Sequence, residues 1–164
     1  MAGDISAARA CLAEAEKLAE SLSPPLTKYL RRHLARLKAN LHLSLGKSSE
    51  AEAEFRQVLA NSRELPPEDF DLRQEDADAV AGALAEQRKF KEALPFAEEA
   101  AKMADERKAK EAIRAHAHGA VALLQLAAGD MAGYDKSFQQ MLTTFWASIR
   151  SDTLAALALV GGAS

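Results

Sequence analysis

The feature that most constrains this chain is a short turn signature that recurs about every 42 residues. Its three copies are Leu45–Ala51, Gln87–Ala93 and Ala128–Met131, with turn positions at residues 46, 88 and 129. Each copy separates two helix-forming segments, and a single helix pair cannot bury its apolar face alone. Neighbouring pairs must therefore stack. The chain is predicted to be an α-solenoid of antiparallel helix pairs, whose concave face is the usual binding surface.

The composition favours helices throughout. Of the 164 residues, 48% are hydrophobic and 27% are charged, and only 8 Gly and 5 Pro interrupt them. The remainder is rich in Ala, Leu, Glu, Lys, Arg and Gln, which are strong helix formers. No segment alternates convincingly as a strand would. We therefore predict an all-α fold of about eight helices in a single domain.

Breaks in the sequence place these helices. Pro24 and Pro25 favour a helix start, Gly46 favours a left-handed helix stop, and Ser49 with Glu52 has the spacing of a capping box. The break between the fifth and sixth helices is weakly marked, because residues 105–111 are charged but compatible with a helix. The eight predicted helices cover approximately residues 4–21, 24–45, 49–63, 72–87, 89–105, 108–128, 131–146 and 151–160.

The predicted helices group into repeats with a common packing pattern. In the second helix of each repeat, apolar residues share one face. In the first helix, Ala39, Ala81 and Ala122 lie seven residues before the turn, where a small side chain lets the two helix backbones approach closely. The packing faces are Ala51/Phe55/Val58, Ala93/Ala97/Ala100 and Tyr134/Phe138/Met141. The predicted divisions are a leading half-repeat at 1–22, repeats at 23–64, 65–106 and 107–147, and a C-terminal capping helix and tail at 148–164.

The repeat resembles the tetratricopeptide repeat (TPR), in the longer variety of about 42 residues found in kinesin light chains and many bacterial proteins. The best copy is Ala85–Ala104, in which even Pro95 matches that variety. The resemblance covers nearly the whole chain and implies a right-handed superhelix used for scaffolding or peptide capture rather than catalysis. A generic helical bundle is the alternative fold. The chain departs from the family pattern at Lys38, His42, Arg88 and Tyr134.

Charge and terminal sequence exclude several functional classes. The net charge of −3 is spread over interspersed acids and bases, so we expect no nucleic-acid or membrane partner. No basic segment followed by an apolar run opens the chain, and the apolar tail 154–160 is shorter than the roughly 20 residues of a membrane span. We therefore expect a cytoplasmic protein. The single cysteine, Cys11, is predicted to be a small buried hydrophobic residue.

No pattern in the sequence predicts an enzyme. His116 and His118 point about 200° apart on a helix and cannot bind one metal together. The sequence contains no His-Glu-x-x-His motif, no Cys-x-x-Cys motif and no glycine-rich phosphate loop. The acidic clusters Glu68–Asp71 and Glu75–Asp78 are interpreted as solvated acids at a helix start. We therefore predict no catalytic residue, no metal and no cofactor.

The repeat register predicts which side chains line a partner-binding groove. Arg36 and Asn40 lie one helical turn apart and suit a carboxylate or a backbone group. Glu75 and Asp78 of the next repeat are acidic, which argues against a clamp for a terminal carboxylate and favours a mixed-charge peptide or a partner helix. The predicted groove residues are His33, Arg36, Asn40, Glu75, Asp78, Gly82, His116 and Leu123, with Gly119 beside them.

Two functions remain open from the sequence. The first is a non-catalytic interaction module that binds a peptide or helix of another protein in its concave groove. The second is a structural or regulatory repeat segment that self-associates or packs on the rest of a larger protein, with homo-oligomer formation through the first helix. The first helix would present Ile5, Ala8, Leu12, Ala15 and Leu18, whereas Trp146 is predicted to be a buried core aromatic. Nothing convergent enough supports a small-ligand sensor.

Overall fold

The computed structural model describes residues 2–21, 24–63, 66 and 69–161. Within these ranges the chain forms seven α-helices and no strand, which confirms the predicted all-α fold. The helices are α1 (Ala2–Glu20), α2 (Pro24–Ser44), α3 (Ser48–Arg63), α4 (Phe70–Glu86), α5 (Phe90–Glu106), α6 (Glu111–Ala128) and α7 (Met131–Gly161).

The separate eighth helix that we predicted is wrong, because α7 continues without a break to Gly161. No Gly or Pro occurs between Trp146 and Ser151, and Ser151 and Asp152 cap a helix only where the chain already departs from it. The side chains from residue 151 onward lie outside the described part of the chain, and so does the packing of the predicted capping segment. The long loop predicted at residues 64–71 is described only at Pro66 and from Asp69.

All three in-phase turn positions adopt the left-handed backbone conformation. The φ angles are 72° at Gly46, 59° at Arg88 and 82° at Gly129. Lys108, with φ of 51°, supplies the same conformation after α5, where the sequence marked the break poorly. Glycine adopts this conformation without steric cost, whereas Arg88 and Lys108 bring a Cβ atom close to the following carbonyl oxygen.

We expect Arg88→Gly to raise the free energy of unfolding by about 1 kcal/mol. The left-handed conformation costs a residue with a Cβ atom roughly 1–2 kcal/mol, and the greater freedom of glycine in the unfolded chain offsets part of that gain. Urea denaturation followed by circular dichroism measures the change. Gly129→Arg is the reciprocal control and should lower stability. A stability loss in Arg88→Gly would show that the arginine side chain contributes more than its backbone strain costs.

The helices divide into two compact units, residues 1–87 and 88–164. In the first unit α1 packs on α2, α2 on α3 and α3 on α4; in the second, α5 packs on α6 and α6 on α7. Packing between chain neighbours is the arrangement expected of a linear repeat array. The repeat boundaries and the single domain stay predictions.

The predicted packing faces of α3 and α5 are buried, and so are the small residues predicted on α2 and α6. Ala39 on α2 is fully buried, and Phe55 on α3 is 1% exposed. In the second unit Ala122 on α6 is 2% exposed. The third predicted face is looser, because Tyr134 and Phe138 are only half-buried and stack on each other with ring centroids 5.4 Å apart. The other buried members of the two alanine-containing faces are Ala51, Val58, Ala93, Ala97 and Ala100.

The prediction that Cys11 is buried is wrong, because Cys11 is exposed. On α1 the half-buried row consists of Ile5, Ala8, Leu12 and Ala15 and ends at the buried Ala19. In the first unit α1 packs on α2, and a single neighbouring helix covers only a narrow strip of its surface. Cys11 lies beside that strip and therefore faces water.

The start of α3 is connected to the end of α4 through Gln87. Helix α3 begins at Ser48, one residue before the predicted cap. The Gln87 amide donates to the Ser48 carbonyl oxygen at 3.1 Å and to Glu52 Oε2 at 2.8 Å. The Ser49 hydroxyl donates to Gln87 Oε1 at 3.2 Å. The residues that we predicted to form a capping box therefore fix two neighbouring helices to each other.

Candidate partner-binding surface

Six of the eight predicted groove residues lie on α2 and α4 of the first unit. His33, Asn40, Glu75 and Gly82 are exposed, whereas Arg36 and Asp78 are half-buried. The remaining sides of the same two helices carry buried residues, which are Leu34 and Ala39 on α2 and Ala77, Val80, Ala81, Ala83 and Leu84 on α4. The predicted residues therefore point away from the core, as a binding surface requires.

Arg36 and Glu75 are bonded directly to each other. Arg36 Nη1 donates to Glu75 Oε2, and the two side chains are 28% and 52% exposed. An ion pair this open to solvent contributes at most about 1 kcal/mol to stability. The pair can therefore open at low cost.

A second ion pair, which we did not predict, lies deeper between the same helices. Arg32 Nε donates to Asp76 Oδ2 at 2.7 Å, and Arg32 Nη2 donates to Asp76 Oδ1 at 2.6 Å. Arg32 Nη2 also donates to the carbonyl oxygen of Leu72 at 2.8 Å. Arg32 is 7% exposed and Asp76 is fully buried. The prediction that the Glu75–Asp78 acids are solvated is thus wrong for Asp76, whose two carboxylate oxygens are held in a bidentate pair.

These pairs belong to a row of polar contacts that joins α2 to α4. Above the buried pair, the Tyr29 hydroxyl donates to Asp69 Oδ2 at 2.6 Å. The donors are spaced by one or two helical turns on α2, so they share one side of that helix. We call the row the α2–α4 ladder; its rungs are Tyr29–Asp69, Arg32–Asp76 and Arg36–Glu75.

The family departures at Lys38 and His42 are matched by a carboxylate on α3. Lys38 Nζ lies 3.4 Å from Glu54 Oε1, and His42 Nδ1 lies 3.2 Å from Glu54 Oε2. The equivalent positions after the other two turns hold Phe96 and Ser137. The acidic residue at position 54, where the other two repeats carry none, was the sequence signal that Lys38 and His42 contact the same side chain.

In the second unit the predicted residues lie on an apolar face of α6. His116 is exposed and Leu123 is 66% exposed. Ile113 and Leu126, at 38% and 43% exposure, extend the exposed apolar surface of α6 in both directions. Gly119 instead lies under Met141, whose Sδ atom would be 3.1 Å from an added Cβ. Gly119 is therefore a packing position between α6 and α7.

The part of the chain that the structure describes contains neither a cluster of metal ligands nor a membrane-spanning helix. No three His, Cys, Asp or Glu side chains in it are grouped so that they would hold a metal ion. None of its helices combines the length and the apolar character that crossing a membrane requires.

Comparison with known proteins identifies the fold. No family model and no curated protein matches the sequence. The structure is similar to the crystal structure of BtubC (BKLC) from P. vanneervenii, with a TM-score of 0.68 and 22% identity over 86% of this chain and 55% of that one. It is also similar to the TPR domain of Arabidopsis FLU, with a TM-score of 0.64 and 18% identity over 73% of this chain and 98% of that domain.

The chain is an all-α helical-repeat module, and its repeats have the TPR-like fold that the sequence resemblance predicted. The chain spans 55% of the length of BtubC.

Proposed function

We propose that the chain is a non-catalytic interaction module that binds a peptide or helix of another protein in a groove, and that the α2 and α4 residues of the first unit line its charged part. The observation that carries this proposal is that His33, Asn40, Glu75 and Gly82 are exposed on helices whose other sides are buried. When one side of a helix is accessible and its other sides are covered, the accessible side is available to a partner.

Each unit, considered by itself, suggests the chemistry of what its exposed surface binds. On the first unit Arg36 presents a planar fork suited to a carboxylate or a backbone oxygen, and Glu75 selects a basic side chain. On the second unit Leu123 and Ile113 offer apolar contact area. The proposed partner of the first unit is therefore a segment that carries both charges, and the apolar side of α6 is a contact surface of the second unit considered by itself.

We expect Arg36→Ala and Glu75→Lys each to weaken partner binding about tenfold. Each variant removes one charged contact to the partner, and tenfold corresponds to about 1.4 kcal/mol. The melting temperature should stay within about 4 °C, because the exposed pair contributes little to folding. The partner is first captured by affinity purification with mass spectrometry, and its binding segment is then titrated by calorimetry.

Matched variants make this test specific. Arg56, which pairs with Glu52 at 3.0 Å on α3, is an exposed arginine outside the groove, and Arg56→Ala should leave affinity unchanged. The double swap Arg36→Glu with Glu75→Arg keeps an internal ion pair and should still lose binding. Unchanged affinity in both Arg36→Ala and Glu75→Lys would overturn the groove proposal.

A structural segment that self-associates is the second candidate, and α7 provides an observation in its favour. Trp146 is 59% exposed and Phe145 is 47% exposed, so the prediction of a buried core Trp146 is wrong. The two rings make an edge contact with each other at 6.1 Å. On α1 only Leu18, at 61%, is strongly exposed among the five residues proposed for homo-oligomer contact. Light scattering across a concentration series, with Trp146→Ser and Leu18→Ser, tests both surfaces.

A further inference from the structure

Helix α7 carries an accessible apolar row beside the side that packs on α6. Ser137 and Thr144, at 9% and 7% exposure, lie on the buried side. The members of the row are spaced by three or four residues, so they share one side of the helix. Those toward the C-terminal end are the most accessible, at 47% and 40% exposure, and the others are half-buried. We call this set the α7 row; its members are Tyr134, Phe138, Leu142, Phe145 and Ile149.

The α7 row differs from the equivalent sides of α3 and α5. Sixteen positions after the turn, α3 has Ser62 and α5 has Ala104, both fully buried, where α7 has Phe145. The Ser62 carbonyl oxygen accepts a hydrogen bond from Arg73 Nε of α4 at 2.9 Å, so this side of α3 receives the next helix of the array. A small side chain at such a position allows two helices to approach closely. The Phe145 ring prevents that close approach on α7, so the row is suited to a different neighbour.

The α7 row is symmetric about Leu142. Phe138 lies four positions before Leu142, and Phe145 lies three positions after it. Tyr134 lies eight positions before Leu142, and Ile149 lies seven positions after it. In an antiparallel pair of identical helices, a two-fold axis brings positions equally far before and after the axis opposite each other. An axis at Leu142 would therefore place phenylalanine against phenylalanine and tyrosine against isoleucine, with an offset of one residue, or about 1.5 Å.

The charges beside the row have the same symmetry. Asp135 lies seven positions before Leu142 and Arg150 lies eight positions after it. Both are exposed, and both lie on the flank of the row that faces away from Ser137 and Thr144. An antiparallel two-fold pair brings the same flank of its two helices together, so Asp135 of each copy would meet Arg150 of the other. The row and its flanking charges are therefore complementary to themselves.

We propose that the α7 row is the interface of an antiparallel homodimer whose two-fold axis passes near Leu142. The occupant of this surface is a second copy of the same chain. Trp146, which is 59% exposed, lies beside the row and enlarges the contact, as exposed aromatic residues typically do at interfaces. The dimer rests on the second candidate function, self-association, and is independent of the groove residues on α2 and α4.

Sedimentation velocity of the whole chain over a concentration series measures the dissociation constant of the dimer. Phe145→Ser removes an aromatic ring from each side of the interface and should raise this constant about 100-fold. Leu37→Ser is the matched control, because Leu37 on α2 is 42% exposed and Phe145 is 47% exposed. This control should leave the dissociation constant unchanged. Circular dichroism should show the helix content of the parent in both variants.

Charge exchange tests the antiparallel direction. Asp135→Arg would bring like charges together at Arg150 of the other copy, and Arg150→Asp would do so at Asp135, so each should raise the dissociation constant about tenfold. The double variant Asp135→Arg with Arg150→Asp restores both attractions and should return the constant to within about threefold of the parent. A mixture of the two single variants should form the mixed dimer about tenfold more tightly than either forms its own dimer.

Three results would overturn the proposal. A chain that stays monomeric over the whole series would overturn both the α7 dimer and the self-association candidate, and would leave the groove proposal standing. Association that persists in Phe145→Ser and is lost in Leu18→Ser would place the contact on α1, so that self-association stands and the α7 interface does not. Association that is weakened by Phe145→Ser but is equal in the single and double charge variants would contradict the antiparallel pairing about Leu142.

Discussion

Replacing Asp76 with leucine is expected to lower the free energy of unfolding by about 3–5 kcal/mol, because it leaves the Arg32 guanidinium buried without its anion. Arg32 is 7% exposed and its Nη2 lies 2.6 Å from Asp76 Oδ1, whereas the other nearby carboxylate, Glu75, is 4.0 Å away and half exposed, so it replaces Asp76 only poorly. The melting temperature should fall by roughly 6–20 °C, at about 2–4 °C for each kcal/mol. Urea denaturation followed by circular dichroism measures the loss.

Two further variants show whether the loss comes from the stranded charge. The double variant Arg32→Met with Asp76→Leu replaces the whole pair by apolar side chains and should recover most of the stability. Glu75→Ala, on the neighbouring exposed rung of the α2–α4 ladder, should cost at most about 1 kcal/mol. If Asp76→Leu alone is as stable as the parent, the loss of Asp76 does not leave a costly unpaired charge at Arg32, and the prediction is wrong.

The fold was predictable because its determinants are local and repeated. The in-phase positions 46, 88 and 129 all adopt positive φ, including Arg88, which carries no sequence signal of its own. The continuation of α7 beyond Trp146 also has a local cause. The predicted caps at Ser151 and Asp152 act only where the chain leaves the helix, and the preceding residues contain no Gly or Pro to make it leave.

The side that each candidate groove residue faces was predictable, but its bonding partner was not. Helical periodicity places Arg36 and Glu75 on exposed sides of α2 and α4, because periodicity depends only on spacing within one helix. Whether Glu75 or Asp76 is the buried acid depends on how far α4 is shifted along α2. That shift is set by packing through α3, and no spacing in the sequence encodes it.

The errors at Cys11 and Trp146 have a related cause. Both residues lie on apolar sides of the first or last helix of the chain, and an apolar side in the sequence was taken to be a covered one. In the first unit α1 packs on α2, and in the second unit α7 packs on α6, so each buries one strip of its surface. Trp146 at 59% exposure lies outside the strip that α6 covers.

Equivalent positions of two repeats, Phe55 and Phe138, differ in burial, and we expect a large loss of stability when Phe55 is replaced. This residue lies nine positions after the turn at Gly46, and Phe138 lies nine positions after the turn at Gly129. Phe55 is 1% exposed, whereas Phe138 is half-buried and stacks on Tyr134. Phe55→Ala should therefore cost about 3–5 kcal/mol through lost burial and the cavity left in the first unit. Phe138→Ala should cost only about 1–2 kcal/mol.

Urea denaturation of both variants, together with amide hydrogen exchange, checks this prediction. Exchange should accelerate most along α3 in Phe55→Ala and along α7 in Phe138→Ala, because each substitution loosens the helix on which it lies. Phe55→Leu, which keeps most of the buried volume, is the control and should cost clearly less than Phe55→Ala. Equal losses from Phe55→Ala and Phe138→Ala would mean that repeat position rather than burial sets the contribution, and that the half-buried stack on α7 stabilises its unit as strongly as a closed core does.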